Sequence, residues 1–401
     1  MKNFVSGFRF MMSVKSVMVL TALIYATIHL VFYSHTEWLN TDYQGQIFSI
    51  AKGGSWFFVD GQFTSRVPPI LPIVFGLTLR LSEFSGIDIH LLAKVLNLGF
   101  ISLNAYLLYK ISGYFLQDRY KSVASFVYLL NPVILYYSFK PLSEHLFMIF
   151  FLLFLYYMVG YLVENRGKHL SWAMFFFSLS LLVRPTYLYF TLLLFLFLIY
   201  YNFGHLTRMV MPSLVWTLTL LPWIFYCYDN SKQLVLSSSG SIQSLKDGTA
   251  YDNKGYRGEL TTDPEVRRVM DEFWINYSDY TSTGQVFNYY LAQLQSNPWG
   301  LIKFQILKIV RVFYGTDTIN KKSETGILLV NLPASAFLLF WFYRVSFNSG
   351  RTSLDIFFLI LILYTILISS IVVPLFRYMM PVFYLIPILG LSKLTKSIKY
   401  E

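Results

Sequence analysis

The sequence predicts an all-α, polytopic membrane protein with about ten transmembrane helices. Of its 401 residues, 55% are hydrophobic and only 13% are charged, whereas an ordinary soluble domain is about 25% charged. Several apolar runs approach or exceed the roughly 18 residues that mark a membrane helix. Aromatic residues make up 19% of the chain, and Trp and Tyr favour the two membrane–water interfaces.

Lysine and arginine positions predict the orientation of these helices. The N-terminus carries Lys2, Arg9 and Lys15, which places it in the cytoplasm and makes residues 17–33 a retained first helix rather than a cleaved signal. The net charge of +11 fits basic cytoplasmic loops that face anionic lipid, so it does not indicate nucleic acid. We therefore expect an integral protein of a bacterial inner or plasma membrane.

Two long polar segments are expected on the periplasmic or extracellular side of one membrane domain that covers residues 1–401. Residues 34–82 form a first outer loop with interfacial helices, and residues 229–325 form a second, longer outer loop. Residues 68–81 are apolar but short and hold three prolines. We predict an interfacial or re-entrant segment there, because a crossing would reverse every later basic loop.

The second outer loop reads as an irregular first part, residues 234–258, followed by helices. Asp263 and Pro264 are typical of a helix start, and that helix should extend through Phe273. Residues 285–295 predict another helix. Pro298 then opens an amphipathic helix whose cations are Lys303, Lys308 and Arg311. We expect it to lie against either the outer leaflet or the helical bundle.

The first outer loop holds the leading candidate for chemistry. Asp42 precedes apolar residues at helical spacing, which predicts a short helix on the membrane surface that begins near this carboxylate. The loop closes on Ser65-Arg66-Val67-Pro68-Pro69. A carboxylate, an arginine and a double proline at a membrane surface are where we place the active site.

Six short motifs occur in a fixed order: Asp42 after the first helix, Ser65–Pro69, Leu142–Phe147, Leu182–Thr186, Leu221–Trp223, and Arg377-Tyr378 with Pro381. Together they resemble the GT-C superfamily of integral membrane glycosyltransferases. The branch with the protein O-mannosyltransferases and the lipid A aminoarabinose transferase is the most similar. Two departures are Tyr43, where some members carry a second acidic residue, and Val67, which separates the basic residue from Pro-Pro.

This resemblance implies a GT-C-like helical bundle and transfer of a sugar from a polyprenyl-phosphate donor to a lipid, glycan or protein acceptor. Such transfer needs a base for the acceptor hydroxyl and cations for the departing phosphate. We expect Asp42 to be the base and Glu144 to support it. The expected ligands of the donor phosphate are Arg66, Lys94, Arg184, Arg377 and Tyr378.

Each of these residues also has a purely structural interpretation. Asp42 and Glu144 could cap their own helices, and the arginines and Lys94 could anchor helix ends at the headgroups. No His, Asp or Glu spacing indicates a metal site, so we expect no required cofactor, with a divalent metal as the alternative. Cys227 is the only cysteine, which excludes an intramolecular disulfide.

Two other functions remain open at this point. A flippase or transporter of lipid-linked saccharides would predict pseudo-repeats and polar residues near the middle of the membrane. A polysaccharide polymerase or ligase that uses a diphosphate-linked glycan would concentrate its basic residues in the large outer loop. The predicted charges gather instead at the outer membrane boundary, which favours the glycosyltransferase.

Overall fold

A computed structural model describes residues 23–25, 27–28, 31, 41–53, 56–139, 143–254, 260–316, 321–347 and 351–394. Within them the regular secondary structure is helical apart from one two-stranded hairpin, β1 (Phe58–Val59) and β2 (Gln62–Phe63), in which Phe58 pairs with Phe63. The predicted all-α class is confirmed. Much of the predicted first helix, residues 17–33, lies outside the described residues. Its described part is helical, and the Tyr25 hydroxyl donates to the carbonyl of Leu129 at 3.0 Å.

Among the described residues, five helical segments are long and apolar enough to cross a membrane. They coincide with the spans that the apolar runs predict at residues 91–111, 144–163, 209–226, 327–343 and 356–373. The helices that carry them are α3 (Ile89–Phe115), α6 (Ser143–Glu164), α9 (Val210–Ser231), α14 (Lys321–Phe347) and α15 (Ser353–Ile371).

The other predicted spans are shorter or broken. Two of them, α7 (Gly167–Leu181) and α8 (Phe190–Tyr201), are single short helices. The remaining two are each divided into halves: α4 (Val123–Leu129) with α5 (Pro132–Ser138), and α16 (Phe376–Phe383) with α17 (Ile386–Leu394).

The break between α4 and α5 is sharper than the kink that Asn131-Pro132 predicts. Asn131 has an extended backbone and its side chain accepts a hydrogen bond from the amide of Val133 at 2.9 Å. Proline lacks an N–H and disfavours a helical residue before it. The polar cap of α5 is therefore inside the bundle, where the Asn131 amide also donates to Asn331 Oδ1 at 3.0 Å.

A buried amide and a pair of aromatic rings fix the relative positions of α3 and α6. Asn104 on α3 donates to the carbonyl of His145 on α6 at 2.9 Å, and further along both helices the rings of Tyr114 and Tyr156 lie 5.6 Å apart. The two helices therefore run in the same direction. We call the end where α6 begins the loop end, because both long loops fold onto it.

The first loop forms two packed helices, α1 (Thr41–Ala51) and α2 (Ile70–Ser85). The predicted helix beginning near Asp42 is thus present. Gly76 on α2 allows close packing against α1, since an added Cβ would lie 2.7 Å from Cγ2 of Ile50. The amide of Ile70, at the start of α2, donates to the carbonyl of Leu182 at 3.1 Å. Only residues 86–88 lie between the end of α2 and the start of α3. Both ends of α2 therefore lie at the loop end, which favours the non-crossing interpretation of residues 68–81.

The second loop forms four helices. Three match the prediction, and the fourth, α10, corrects the expectation that residues 234–258 are irregular. Serine and glycine weaken its local propensity, but tertiary contacts stabilise it: Leu245 packs on a buried cluster and the backbone of Gly248 lies against the carbonyl of Val372. The helices are α10 (Ser241–Thr249), α11 (Pro264–Ile275), α12 (Thr283–Ser296) and α13 (Pro298–Arg311).

Candidate functional site

A cleft of about 200 Å³ opens at the loop end of the bundle. It is lined by the first loop, the start of α6, the segment after α7, the second loop and the start of α16. Four of the six sequence motifs, although far apart along the chain, contribute residues to this cleft. Its lining includes Tyr43, Arg66, Glu144, Arg184, Gly240, Arg377 and Tyr378.

A buried carboxylate lies between two arginines in this cleft. Glu144, in the first turn of α6, is only 2% exposed. Its Oε1 accepts a hydrogen bond from Nη1 of Arg184 at 2.9 Å and lies 3.6 Å from Nε of Arg377. A buried charge is stable only when it is paired and hydrogen-bonded. The ion pairs therefore account for the burial of Glu144.

Both guanidinium groups also stack near one aromatic ring. The Cζ atoms of Arg184 and Arg377 lie 4.8 Å and 5.4 Å from the centroid of Tyr378. Such cation–π contacts restrain the direction of a guanidinium without consuming its donors. Two cations thus share one anion, and the cluster has a surplus of positive charge that faces the cleft.

Local backbone structure explains why the arginines project here. α7 ends at Leu181, and Arg184 is extended (φ −148°, ψ 131°) because the following Pro185 disfavours a helical conformation. Arg377 is in the first turn of α16, which follows the extended residue Leu375. Each arginine therefore lies at a helix boundary, where its side chain can reach across to Glu144.

Arg66 is exposed and lies at the rim of the cleft. Its carbonyl accepts a hydrogen bond from the Ser238 hydroxyl, and the carbonyl of Ser65 accepts one from the amide of Ser239 at 3.0 Å. An added Cβ on Gly240 would lie 2.6 Å from the carbonyl oxygen of Arg66. The first and second loops are therefore joined at Arg66, and their junction forms one wall of the cleft.

The second loop is also fastened to the bundle behind this wall. Trp223, from the predicted Pro-Trp motif, donates through its indole N–H to the carbonyl of Ser237 at 2.9 Å. The Ser237 hydroxyl donates to the carbonyl of Leu181, at the end of α7. The motif thus has a structural role, because it fixes the strip of chain that meets Arg66.

Sequence reasoning missed Tyr43 as a member of the site. Its hydroxyl donates to Oγ of Ser143 at 3.3 Å, which ties the start of α1 to the start of α6. Burial, and then the charge of Glu144, raise the pKa of the Tyr43 phenol above its ordinary value of 10.0. The phenol therefore remains a hydrogen-bond donor at neutral pH. Its position next to Asp42 was the signal that could have identified it.

Two predicted site residues are not placed among the groups that line the cleft. Asp42 lies in the first turn of α1 beside Tyr43, but the described part of the molecule includes only its backbone. Its expected role as base therefore stays a prediction. Lys94 is buried within α3 and is not among the residues that line the cleft. The structure does not bring it to the Glu144 cluster.

A second cavity, of about 270 Å³, lies at the opposite end of the bundle. Its walls are mostly apolar, and one side carries the ion pair between Lys393 and Asp355, 2.8 Å apart. Among the described residues, no group of three or more His, Cys, Asp or Glu side chains is arranged to hold a metal ion. The cluster of arginines therefore distinguishes the cleft at the loop end from this cavity.

Comparisons with known proteins give one structural likeness. No protein-family model matches the chain, and no curated protein sequence matches it. Among solved structures, it is similar to the crystal structure of ArnT from Cupriavidus metallidurans bound to undecaprenyl phosphate. The match covers 94% of this chain and 77% of that chain, with 11% sequence identity and a TM-score of 0.45.

Proposed function

We propose that this protein is a membrane glycosyltransferase that moves a sugar from a polyprenyl-phosphate donor to a lipid, glycan or protein acceptor. The observation that supports this proposal is the pairing of one buried carboxylate, Glu144, with Arg184 and Arg377 in a cleft that Arg66 borders. Charged side chains buried within a membrane protein are costly, so they are functional candidates by default.

The charges of the cleft suit a phosphate. Arg66, Arg184 and Arg377 carry three positive charges, and Glu144 carries one negative charge. A phosphate monoester carries about −1.5 to −2 at neutral pH, so the surplus matches the polyprenyl phosphate that leaves. Arginine also binds phosphate oxygens through bidentate, charge-assisted hydrogen bonds.

The proposed reaction is a displacement at the anomeric carbon. The acceptor hydroxyl oxygen forms the new bond to that carbon, while the bond between the carbon and the phosphate oxygen breaks. The electron pair stays with the phosphate, whose added negative charge the arginines stabilise. The hydroxyl proton passes to a base, for which we propose Asp42, because α1 begins beside Tyr43 at the cleft.

Glu144 has a different role in this proposal. With its Oε1 bonded to Arg184 and near Arg377, it is a positioning residue that holds the phosphate ligands. It also offsets part of their mutual repulsion before the donor binds. Tyr378 restrains the same two guanidinium groups from their faces. The arginines would then need little reorganisation when charge develops on the phosphate, which is the condition for effective electrostatic stabilisation.

A lipid-carried donor also fits the proposed location on the outer face. Free nucleotide sugars are not supplied on that side of a bacterial membrane, whereas a polyprenyl phosphate places its phosphate at the headgroup level. We propose that the prenyl chain lies in the bilayer against a groove between helices. The sugar, the acceptor and the sidedness of the site are parts of this proposal.

Transfer in liposomes tests the proposal. The purified protein is reconstituted and offered a labelled sugar either as the polyprenyl phosphate or as the nucleotide sugar, with membrane lipids and glycans as acceptors. Label should move to an acceptor only from the polyprenyl phosphate. Transfer from the nucleotide sugar without a lipid intermediate contradicts the proposal. Movement of the intact labelled lipid between leaflets, with no new glycosidic bond, would instead support a flippase.

A further inference from the structure

The inward side of α13 carries two cations beside the apolar residues Leu301 and Phe304, while a row of large apolar side chains faces outward. An ordinary surface helix turns its apolar stripe to the protein and its charges to water. α13 instead buries Lys308, which is 0% exposed, and Arg311, which is 3% exposed. Trp299, 69% exposed, and Ile306, 54% exposed, face outward. The sequence left open whether this helix meets lipid or protein, and the fold shows that its cationic side meets the protein.

The buried cations of α13 are satisfied by the protein. The Lys308 ammonium donates to the carbonyls of Gly248 and Ile371, each at 3.0 Å. The Arg311 guanidinium pairs with Glu324 and donates from Nε to the Tyr251 hydroxyl at 2.8 Å. Because both cations have protein partners, neither has to reach water on the outward side of the helix. These contacts hold the charged side of α13 toward the bundle.

The outward strip of α13 consists of Trp299, Ile302, Ile306 and Val310, all exposed. Their spacing of three and four residues places them on one face of the helix. Lys303, at the edge of this face, is turned toward α11, where its ammonium pairs with Asp263 and Glu265. Four large apolar side chains thus form one face of α13, and the charged side chain at its edge, Lys303, is already paired.

The strip is next to a surface that faces lipid. α13 packs against α15, one of the helices long and apolar enough to cross a membrane. The contact is at the loop end of α15, where Lys308 holds the carbonyl of Ile371. α15 carries its own exposed apolar row, at positions Leu363, Leu367 and Ile371. Two helices that pack together therefore each carry a row of exposed apolar side chains.

From these observations we infer that α13 is an in-plane membrane helix, with its outward strip immersed in the acyl region of the leaflet at the loop end. At 14 residues it is about 21 Å long, too short to span a bilayer. An in-plane helix usually keeps a charged face toward water. Here the protein takes the place of water on that face, so that lipid covers the other.

Spin labels on the full-length protein in lipid vesicles test this inference. In a Cys227→Ser background, single cysteines are placed at Ile306 on the strip, at Leu367 on α15 and at Gln295 on the exposed polar side of α12. Collision rates of each label with oxygen, which enters lipid, and with a water-soluble nickel complex are then measured. The Ile306 label should resemble the Leu367 label, with oxygen favoured, while the Gln295 label should favour nickel.

A second measurement does not depend on cysteine substitution. In vesicles of brominated lipid, quenching of intrinsic tryptophan fluorescence should be smaller for Trp299→Phe than for the unmodified protein. A label at Ile306 that favours nickel like Gln295 would overturn the inference. Dipolar broadening between Ile306 labels on two molecules would also overturn it, because a second copy would then cover the strip. Neither readout requires transferase activity, so the inference can fail while the proposed function stands.

Discussion

Nη1 of Arg184 lies 2.9 Å from Oε1 of Glu144, although 40 residues separate them in the chain. This pair joins the end of α7 to the first turn of α6, and both groups are largely buried. Removing one partner of a buried pair costs about 3–5 kcal/mol, because the remaining charge is left uncompensated. The pair should therefore affect both stability and donor binding, and the two effects can be separated.

Glu144→Gln should lower the melting temperature and weaken donor binding, because Arg184 and Arg377 would then repel each other. In a double-mutant cycle with Arg184→Gln, the two stability losses should be non-additive, with a coupling of about 0.5–3 kcal/mol. Glu324→Gln is the matched control, since it breaks the other buried Glu–Arg pair outside the cleft. The control should lose stability but keep donor affinity. Equal effects of both variants on donor affinity would contradict the assignment of Glu144 to the site.

Tyr378 should act through its ring rather than its hydroxyl. The guanidinium groups of Arg184 and Arg377 both lie close to the ring, and a cation–π contact contributes about 0.5–2 kcal/mol. Tyr378→Phe should therefore keep the KM for the donor near its original value, whereas Tyr378→Leu should raise it roughly threefold to thirtyfold. Steady-state transfer with varied donor and saturating acceptor measures this. A loss in Tyr378→Phe as large as in Tyr378→Leu would show that the hydroxyl itself is required.

Arg377→Ala should weaken donor use more than acceptor use, because its guanidinium belongs to the proposed phosphate site. Arg377→Lys should recover only part of the loss, since an ammonium cannot replace a planar, stacked guanidinium. Kinetics with each substrate varied in turn give the two KM values. A rise confined to the acceptor KM would place Arg377 on the acceptor side. Arg344→Ala, at the opposite end of the bundle, is the control and should change neither value.

The sequence predicts the local features of this arrangement, such as helix starts, better than the contacts between distant segments. Helical spacing after Asp42 and the Asp263-Pro264 start predict α1 and α11, because these are local signals. The Arg-Pro and Arg-Tyr motifs identify Arg184 and Arg377. No local pattern indicates that both reach Glu144, since that contact depends on the packing of three helices. α10 was missed for the same reason: what stabilises it is the close packing of Gly248 on Val372.

The buried cations of α13 show a further limit. The sequence correctly predicts an amphipathic helix, because charged and apolar residues alternate at helical spacing. Periodicity alone does not say which face meets the protein. Buried carbonyls of Gly248 and Ile371 hold Lys308 inward, and these acceptors come from distant segments. The same long-range dependence leaves Lys94 away from the cleft, although its position near a helix start resembled that of the arginines.

Cysteine labelling tests the orientation. In a Cys227→Ser background, single cysteines at Gln62 and Gln233, exposed in the two outer loops, should react with an impermeant thiol reagent from outside intact cells. A cysteine at Lys168, exposed at the opposite end of the bundle, should react only after the membrane is opened. The basic-loop distribution motivates this expectation. Labelling of Lys168→Cys but not of the two loop positions would place the cleft in the cytoplasm and remove the reason for a lipid-carried donor.

Asp42→Asn should keep the protein folded and inserted while transfer falls by roughly 10²-fold or more, as expected for the loss of a general base. The fall should appear in kcat, because asparagine preserves the size of the side chain but cannot accept the proton of the acceptor hydroxyl. Binding of the polyprenyl-phosphate donor should be nearly unchanged, since the arginines supply that affinity.

Asp60→Asn is the matched control. It lies in the same loop, in the turn of the hairpin at φ 51°, a conformation that asparagine tolerates. Asp60→Asn should transfer at the original rate. If Asp42→Asn also retains that rate, another group takes the proton. The Tyr43 phenol, whose pKa is raised, stays protonated at neutral pH and therefore does not act as that base. The carboxylate of Glu144 would then be the remaining candidate in the cleft, and its pairing with Arg184 would have to open during the reaction.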